Sequence, residues 1–285
     1  MRSLFLIDGL NQIFRAYYAP FRELTSPSGE PTKATYVFLK MLLQLIRDWS
    51  PDYLALIMEG GDAELDFRRQ IYPDYKANRS SQPDDFRPQV ERIKSLTLAL
   101  GIPVLHVPGF EADDLMATLA SRTEGEEDLE VSLVSSDKDL RQLISGERVC
   151  LLNPRTGIVL DAFGLADEHG YTPEESLEIQ TLTGDTTDNI PGARGIGPKT
   201  GLKLIKKYGT AEATLAHADE LTPKQRENML AFAEQMPLTR QLVTLRRDVP
   251  IDFDLERCAV DLDIDGAMPM LEELGFQSLV QKLLA

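Results

Sequence analysis

The chain has 285 residues, 42% of them hydrophobic, and carries 46 acidic against 30 basic side chains, a formal charge of −16. So acidic a protein does not bind nucleic acid through its overall charge, and any phosphate contact must use local basic patches or metal ions held by acids. Two cysteines, no apolar run of 18 residues and no signal-peptide pattern exclude a disulfide framework, a membrane span and secretion, which predicts a cytoplasmic protein.

Short apolar runs alternate with helical patterns through the first 160 residues. The predicted strands cover residues 3–7, 53–58, 102–107 and 131–134, with strand-like pieces at 148–152 and 157–160. The predicted helices cover residues 10–19, 33–49 with Thr32 as cap, about 86–100 with Asp84 or Asp85 as cap, and 111–122. Residues 60–83 are polar and irregular. This alternation predicts an α/β fold with a mainly parallel central sheet flanked by helices.

A helical pattern follows residue 170, beginning at Thr172-Pro173. The sequence therefore predicts two parts, an α/β core at 1–165 with an arch at 60–83, and a helical region at 166–285. Within the second part, a Gly-rich turn precedes a helix that opens at Pro198 and carries Lys199, Lys203, Lys206 and Lys207 at helical spacing. The N–H groups at such a helix start attract phosphate, and glycines allow the backbone to approach it.

The same stretch has a plainer interpretation, a tight turn before a solvated helix. Residues 189–211 contain five basic side chains and no acid, in a protein that is otherwise strongly acidic. That local reversal favours a hairpin that holds a phosphate backbone without recognising bases.

Four predicted strands end at, or just before, an acidic residue: Asp8, Glu59, Glu111 and Asp137. Further acids close to these or to the hairpin are Asp113, Asp114, Asp139, Asp185 and Asp188. Each could be a turn residue or a helix cap when taken singly. Ligands of parallel sheets bind outside the carboxyl ends of the strands, so convergence on one edge favours a metal site. Oxygen donors suit Mg²⁺ or Mn²⁺, and two ions about 3.5–4 Å apart clamp the attacking and leaving oxygens of a phosphodiester.

Basic and aromatic side chains cluster in the 68–79 segment: Arg68, Arg69, Tyr72, Tyr75, Lys76 and Arg79. Cations beside tyrosines are typical of a channel for a single strand, with phosphates on the cations and bases on the rings. An exposed loop with solvated charges explains the same spacing equally well.

These motifs together resemble the 5′-nuclease family, which includes the N-terminal domain of bacterial DNA polymerase I, its stand-alone and phage relatives and, more distantly, the flap endonucleases. The motifs are F-L-I-D-G at 5–9, F-R-A-Y-Y at 14–18, G-E-P-T at 29–32, Y-K-A-N-R at 75–79, P-D-D at 83–85, G-F-E-A-D-D at 109–114, S-D-K-D-L at 136–140 and G-D-T-T-D-N-I-P-G-A-R-G-I-G-P-K-T at 184–200. They cover about residues 1–250 in the family's order, so we expect a nuclease module alone, without a polymerase domain.

The resemblance implies a PIN-like nuclease core, a helix-hairpin-helix motif at about 184–207, and hydrolysis of DNA near free 5′ ends at flaps, nicks and overhangs, with RNA primers as further substrates. One ion would be held by Asp8, Glu59, Glu111 and Asp113, with Asp114 beside them, and the other by Asp137, Asp139, Asp185 and Asp188. Lys76 and Arg79 would steady the scissile phosphate, Tyr75 would stack on a base and Arg15 would touch the strand. The remaining DNA contacts would come from Arg68, Arg69, Gly195, Gly197, Lys199, Thr200 and Lys203, with K⁺ as a candidate ion in the hairpin.

Two positions depart from the family's pattern. Glu59 stands where the family usually has aspartate, so Asp62 and Asp66 are alternative ligands, and Lys33 stands where glycine is usual. Two other functions stay open, a non-catalytic DNA-binding module and a PIN-like RNA endonuclease. Retention of the other carboxylates with Lys76 and Arg79 argues against the first, and the hairpin argues against the second. We expect a monomer, and a separate polymerase is a candidate partner.

Overall fold

The computed structural model describes residues 1–61, 66–79, 81–277 and 279. In these residues a six-stranded sheet is formed by β1 (Arg2–Asp8), β2 (Tyr53–Ile57), β3 (Val104–Leu105), β4 (Leu129–Val134), β5 (Val149–Asn153) and β6 (Ile158–Leu160). The strand order is β3-β2-β1-β4-β5-β6, with β6 antiparallel to β5 and all other pairs parallel. Because β1 pairs with β2 on one side and β4 on the other, its last residue, Asp8, lies at the middle of the carboxyl edge.

Helices surround this sheet and build the second part of the chain. Among the described residues they are α1 (Gly9–Tyr17), α2 (Lys33–Trp49), α3 (Phe67–Ile71), α4 (Phe86–Ala99), α5 (Ala112–Arg122), α6 (Ala162–His169), α7 (Pro173–Thr183), α8 (Pro198–Tyr208), α9 (Ala211–Ala216), α10 (Pro223–Phe232), α11 (Met236–Val243) and α12 (Ile264–Leu274). A short 3₁₀ turn covers Asp139–Leu143. Within the described ranges, none of the helices has the length and apolar character that crossing a membrane requires.

Both faces of the sheet are buried, which is why its strands are nearly continuous apolar runs. Side chains alternate along β1, so Phe5 and Ile7 pack with α1, α2 and α4 on one face. Leu4 and Leu6 pack on the other face, where α5 contributes Leu115. The predicted mainly parallel α/β core is confirmed, and it holds the carboxyl edge between two packed layers.

The 60–83 segment and the third strand differ from their predictions. The strand expected at 102–107 is reduced to Val104–Leu105, and the segment expected to be irregular contains α3. Asp66 begins that helix, because its carboxylate accepts a hydrogen bond from the Arg68 N–H at 2.9 Å.

Thr32 and Asp85 directly precede α2 and α4 as predicted, but neither side chain forms the capping hydrogen bond that was expected. Thr32 precedes α2 without a capping bond, and its buried hydroxyl has no hydrogen-bond partner among the described residues. The Gln89 side chain instead accepts the Ala34 N–H at 2.9 Å. Asp85 precedes α4 but accepts the Tyr17 hydroxyl at 2.5 Å. Tertiary partners outcompete local capping at both sites.

The helical region begins as predicted, with Thr172 and Glu175 forming a reciprocal capping box at the start of α7. Its helices share a core of their own, built from Leu182, Ile205 and Met229 among others. The hairpin between α7 and α8 needs glycine at Gly184, where an added Cβ would lie 2.4 Å from a backbone oxygen. The boundary at 165–166 stays a prediction.

Candidate active site

Asp8 is the buried centre of the candidate site. As the residue before α1, it accepts the Asn11 N–H at 3.2 Å, and its other oxygen accepts the Ser135 hydroxyl at 2.7 Å. Burial nevertheless raises the pKa of Asp8 to about 6. Ser135 follows β4 and is itself fully buried, and our sequence analysis missed it although it directly precedes the Ser136-Asp137 motif.

Glu59 and Asp113 join this centre from β2 and α5. The Glu59 carboxylate accepts the Ala112 N–H at 3.3 Å, which places the end of β2 against the first turn of α5. Burial, followed by the charge of Glu111, raises the pKa of Glu59 to about 8. Burial also raises the pKa of Asp113 well above its ordinary value, and the charges of Asp137 and Asp8 add to the effect. The order of strands therefore brings these acids together as predicted.

The structure disfavours Asp66 as an alternative to Glu59. Asp66 uses its carboxylate to begin α3, and Asp62 lies outside the described residues. Glu59 remains our predicted ligand at this position.

A second group of acids comes from the segment after β4 and from the hairpin. The Asp139 carboxylate accepts the Gln180 amide at 2.8 Å, and burial with the nearby charge of Asp137 raises the pKa of Asp139 to about 7. Asp185 forms an ion pair with Lys138 at 2.8 Å. Burial acts to raise the pKa of Asp185, but the Lys138 contact outweighs it, so the net shift is downward. Lys138 was not predicted as a site residue.

Lys76 and Arg79 lie over the same edge as predicted. The Lys76 ammonium contacts the Glu111 carboxylate and lies 3.7 Å from that of Asp188. Arg79 contacts the other Asp188 oxygen at 2.5 Å. Burial acts to lower the pKa of Lys76, but Glu111, Glu59 and Asp188 raise it overall, so the ammonium stays charged.

The segment that carries both cations is fastened to the hairpin through its backbone. The Lys76 N–H donates to the Asp188 carbonyl at 2.9 Å, with Lys76 in the left-handed region at φ 57°. The Asn78 amide donates to the Thr186 carbonyl at 2.8 Å, and the Asn189 amide donates to the Asp74 carbonyl at 2.7 Å. The positions of Lys76 and Arg79 are thus set by the hairpin.

The donor set fits a hard divalent cation in its chemistry. All the converging donors are carboxylate oxygens, and the raised pKa values of Asp8, Glu59 and Asp139 indicate that these buried acids are destabilised as anions without a compensating positive charge. As the described side chains stand, however, no group of three or more His, Cys, Asp or Glu could hold a metal ion. Lys76, Arg79 and Lys138 contact the carboxylates instead. The ligand assignments therefore stay predictions.

Asp114 is not placed as a metal ligand. Its two oxygens accept both terminal nitrogens of Arg68, at 2.6 and 2.8 Å, and one also accepts the Arg246 N–H at 2.8 Å. Arg68 is 1% exposed and donates further to the Leu242 carbonyl at 2.9 Å, so its prediction as a DNA contact is wrong. Consecutive residues of a helix point about 100° apart, and this turns Asp114 into the core while Asp113 faces the edge.

Tyr75 is also wrongly predicted as a base-stacking residue. It is 2% exposed and packs against Ile190, Leu242 and Val243. Its hydroxyl donates to the Glu111 carboxylate at 2.9 Å. A ring buried on both faces has no surface for a base, and Tyr75 instead orients Glu111.

Two other predicted DNA contacts lie near the surface. Arg69 is half-buried and lies 3.5 Å from the Asp66 carboxylate. Arg15 donates to the Gln12 side chain at 3.2 Å and lines a separate cleft of about 760 Å³ with Arg155, away from the carboxylates.

The four lysines of α8 form two pairs, one with ion-pair partners and one without them among the described residues. Lys206 and Lys207 form ion pairs with Glu175 and Glu220, at 2.5 and 2.8 Å. Lys199 and Lys203 are exposed and have no ion pair among the described residues. Other predicted contacts beside this pair are Gly195 and Gly197, which are exposed, and Thr200, which is half-buried.

Protein stability in EDTA is expected to fall as pH rises. The raised pKa values of Asp8, Glu59 and Asp139 mean that the folded state holds these protons more tightly than the unfolded state. Their stabilising contribution is complete near pH 4 and is lost as pH rises through 6 to 8. At about 1.4 kcal/mol per pKa unit, we expect Tm to fall by roughly 5 °C or more between pH 5.5 and 8.5.

Differential scanning calorimetry in EDTA checks this expectation. His169 acts in the opposite direction, since burial and the neighbouring Arg141 lower its pKa. Adding Mg²⁺ at pH 8.5 is expected to restore Tm, because an ion that binds the folded state alone stabilises it. A Tm that stays constant or rises between pH 5.5 and 8.5 would contradict the raised pKa values of Asp8, Glu59 and Asp139.

Comparison with known proteins identifies a protein family that this chain matches in sequence. The family model "5′-3′ exonuclease, N-terminal resolvase-like domain" matches residues 3–175, and "5′-3′ exonuclease, C-terminal SAM fold" matches residues 171–263. The chain is 35% identical to a 5′-3′ exonuclease of Aquifex aeolicus, with 99% of this chain and 96% of that protein covered. It is 38% identical to the thermostable DNA polymerase I of Thermus thermophilus over 97% of this chain, but spans only 32% of that polymerase.

Solved structures share the fold. The T5 flap endonuclease, in a pseudo-enzyme–product complex with DNA and metal ions, aligns with a TM-score of 0.70 at 21% identity, covering 99% of this chain and 98% of that one. At this level of identity the likeness concerns the fold alone.

Proposed function

This chain belongs to the 5′-3′ exonuclease family, and from that premise we propose that it is a two-metal 5′-nuclease acting on DNA flaps, nicks and overhangs. The observation that carries the proposal is the gathering of buried carboxylates with raised pKa values at one sheet edge, with Lys76 and Arg79 directly above them. The fold it shares with the T5 flap endonuclease, which was solved with DNA and metal ions, supports the proposal.

The proposed ligands, revised by the structure, fall into two groups. The first is Asp8, Glu59, Glu111 and Asp113, and the second is Asp137, Asp139, Asp185 and Asp188. Bound ions would supply the acidity that activates water and the charge that stabilises the leaving 3′ oxygen. We propose Mg²⁺ or Mn²⁺ because every donor is a hard oxygen.

Lys76 and Arg79 are proposed to hold the scissile phosphate. Each now contacts a carboxylate, and a phosphate oxygen can replace a carboxylate oxygen in a charge-assisted contact of the same kind. The Tyr75 hydroxyl donates to the Glu111 carboxylate and is proposed to orient it. Lys199 and Lys203, with the first turn of α8, are proposed to hold the adjoining duplex, with K⁺ as a candidate ion in the hairpin turn. RNA primers are proposed as further substrates and a separate polymerase as a partner.

A labelled 5′-flap duplex tests the proposal. In Mg²⁺ the wild type is expected to release 5′-phosphorylated products, and Asp185→Asn is expected to lower the rate about 10²–10³-fold. Asp252→Asn is the control, since Asp252 is exposed and lies next to Ile251, which contacts Arg122 at the far end of α5. Undiminished cleavage by Asp185→Asn would contradict the proposal. Tight flap binding in EDTA without turnover in Mg²⁺ would indicate a non-catalytic module, and a preference for RNA flaps would indicate an RNA endonuclease.

A further inference from the structure

A cavity of about 390 Å³ lies beside the carboxylate edge, between the 3₁₀ turn Asp139–Leu143 and helices α6, α7 and α8. Small-molecule sites have volumes of about 300–1,000 Å³, so a mononucleotide fits this space. One part of its wall is cationic or titratable: Lys138, Arg141, His169 and Lys199. Another part is apolar and comes from Ile179 and Leu202.

Arg141 is the residue of the cavity wall whose surroundings favour an anionic ligand. One terminal nitrogen donates to the Tyr171 hydroxyl at 2.7 Å, but Arg141 forms no ion pair with any described residue. Its buried Nε has no hydrogen-bond partner among those residues. The chain has 46 acids and 30 bases, and Asp139 lines the same cavity, yet no described carboxylate forms an ion pair with this guanidinium. An arginine presents its donors in a fixed fork that suits phosphate oxygens.

A histidine and a lysine lie beside Arg141 and can donate hydrogen bonds to a phosphate. The His169 ring stacks on Tyr171, with ring centroids 5.8 Å apart and planes 21° apart. Lys199, in the first turn of α8, lines the same cavity and has no ion pair in the described part of the chain. Tyr171 thus fixes both Arg141 and His169, while Lys199 is free to close on a ligand.

We propose that this cavity binds the phosphate monoester of a nucleotide, with a released nucleoside 5′-monophosphate as its occupant. The phosphate would lie among Arg141, His169 and Lys199, and the base would cover Ile179 and Leu202. Only the source of the ligand rests on the proposed function, because a 5′ exonuclease releases such nucleotides. Asp139 belongs to both the cavity wall and the candidate active site, so an occupied cavity lies next to the catalytic edge.

Equilibrium dialysis of labelled dAMP against the DNA-free protein in EDTA tests the proposal. We expect saturable binding that phosphate-free deoxyadenosine does not show. Lys199→Ala and His169→Ala are each expected to weaken binding about tenfold, as loss of one charged or polar phosphate contact does.

The chain offers a matched control for each variant. Lys40 is exposed on α2, has no ion pair among the described residues and lines a different cleft. His217 stacks on Tyr208 at the same 21° angle but is outside the cavity wall. Lys40→Ala and His217→Ala are expected to bind dAMP as the wild type does.

Absence of dAMP binding, equal binding of deoxyadenosine, or equal weakening by the control variants would overturn the proposal. Competition by a 5′-phosphorylated oligonucleotide, but not by its 5′-hydroxyl counterpart, would support the phosphate site and identify a strand end as a second source. If neither oligonucleotide competes with dAMP, the free nucleotide is supported as the source of the ligand. Because EDTA prevents hydrolysis, this result is independent of whether flaps are cleaved.

Discussion

Asp113→Asn is expected to lower flap cleavage about 10³-fold in Mg²⁺ while raising stability in EDTA at pH 8. The two effects have one cause. Asp113 lies among Asp137, Asp8, Glu59 and Glu111, whose charges all act to raise its pKa. Removing its charge relieves repulsion in the metal-free protein and removes a proposed ion ligand from the enzyme.

Single-turnover cleavage and thermal unfolding of the same protein preparation measure both effects. A variant that loses activity together with stability would indicate that Asp113 supports the fold and holds no ion. The fall in Tm between pH 5.5 and 8.5 is also expected to be smaller in this variant, since one of the groups with a raised pKa is gone.

Asp114→Asn, one position further along α5, is expected to have the opposite effect on stability. Asp114 is fully buried and is the bidentate partner of Arg68, itself 1% exposed. Asp114→Asn leaves the buried guanidinium with the more distant Glu111 carboxylate, at 3.7 Å, and breaking a buried ion pair costs about 3–5 kcal/mol. We therefore expect a drop of roughly 10 °C or more in Tm, whether or not Mg²⁺ is present.

The Arg68→Met, Asp114→Leu double variant separates charge from packing. Replacing a whole buried pair by apolar side chains is often neutral, so the double variant is expected to recover much of the loss seen in Asp114→Asn. A Tm for Asp114→Asn that matches the wild type would show that the pair contributes little, and Asp114 would then be free to serve as a ligand.

The positions of the acids could be predicted from the sequence because they follow from sheet geometry. Parallel strands bring their carboxyl ends to one edge, and an apolar run that stops at Asp8 or Glu59 marks that end directly. The family resemblance is confirmed as well, since its motifs cover most of the chain.

The roles of Arg68 and Tyr75 could not be predicted in this way. Their segment has the composition of an exposed nucleic-acid channel, and nothing local shows that Leu242 and Val243, more than 160 residues later, cover it. Burial of a basic side chain depends on a distant carboxylate and carbonyls. Adjacent acids such as Asp113 and Asp114 likewise differ only in the direction each takes from the helix.

Five hydrogen bonds link residues 74–79 to residues 186–189 in the described part of the chain. Lys76 and Arg79 lie on a segment that is anchored to the hairpin, while most of the acids below them follow strands of the sheet or lie at the start of α5. The distance between these cations and those acids therefore depends on how the hairpin packs against the carboxyl edge of the sheet.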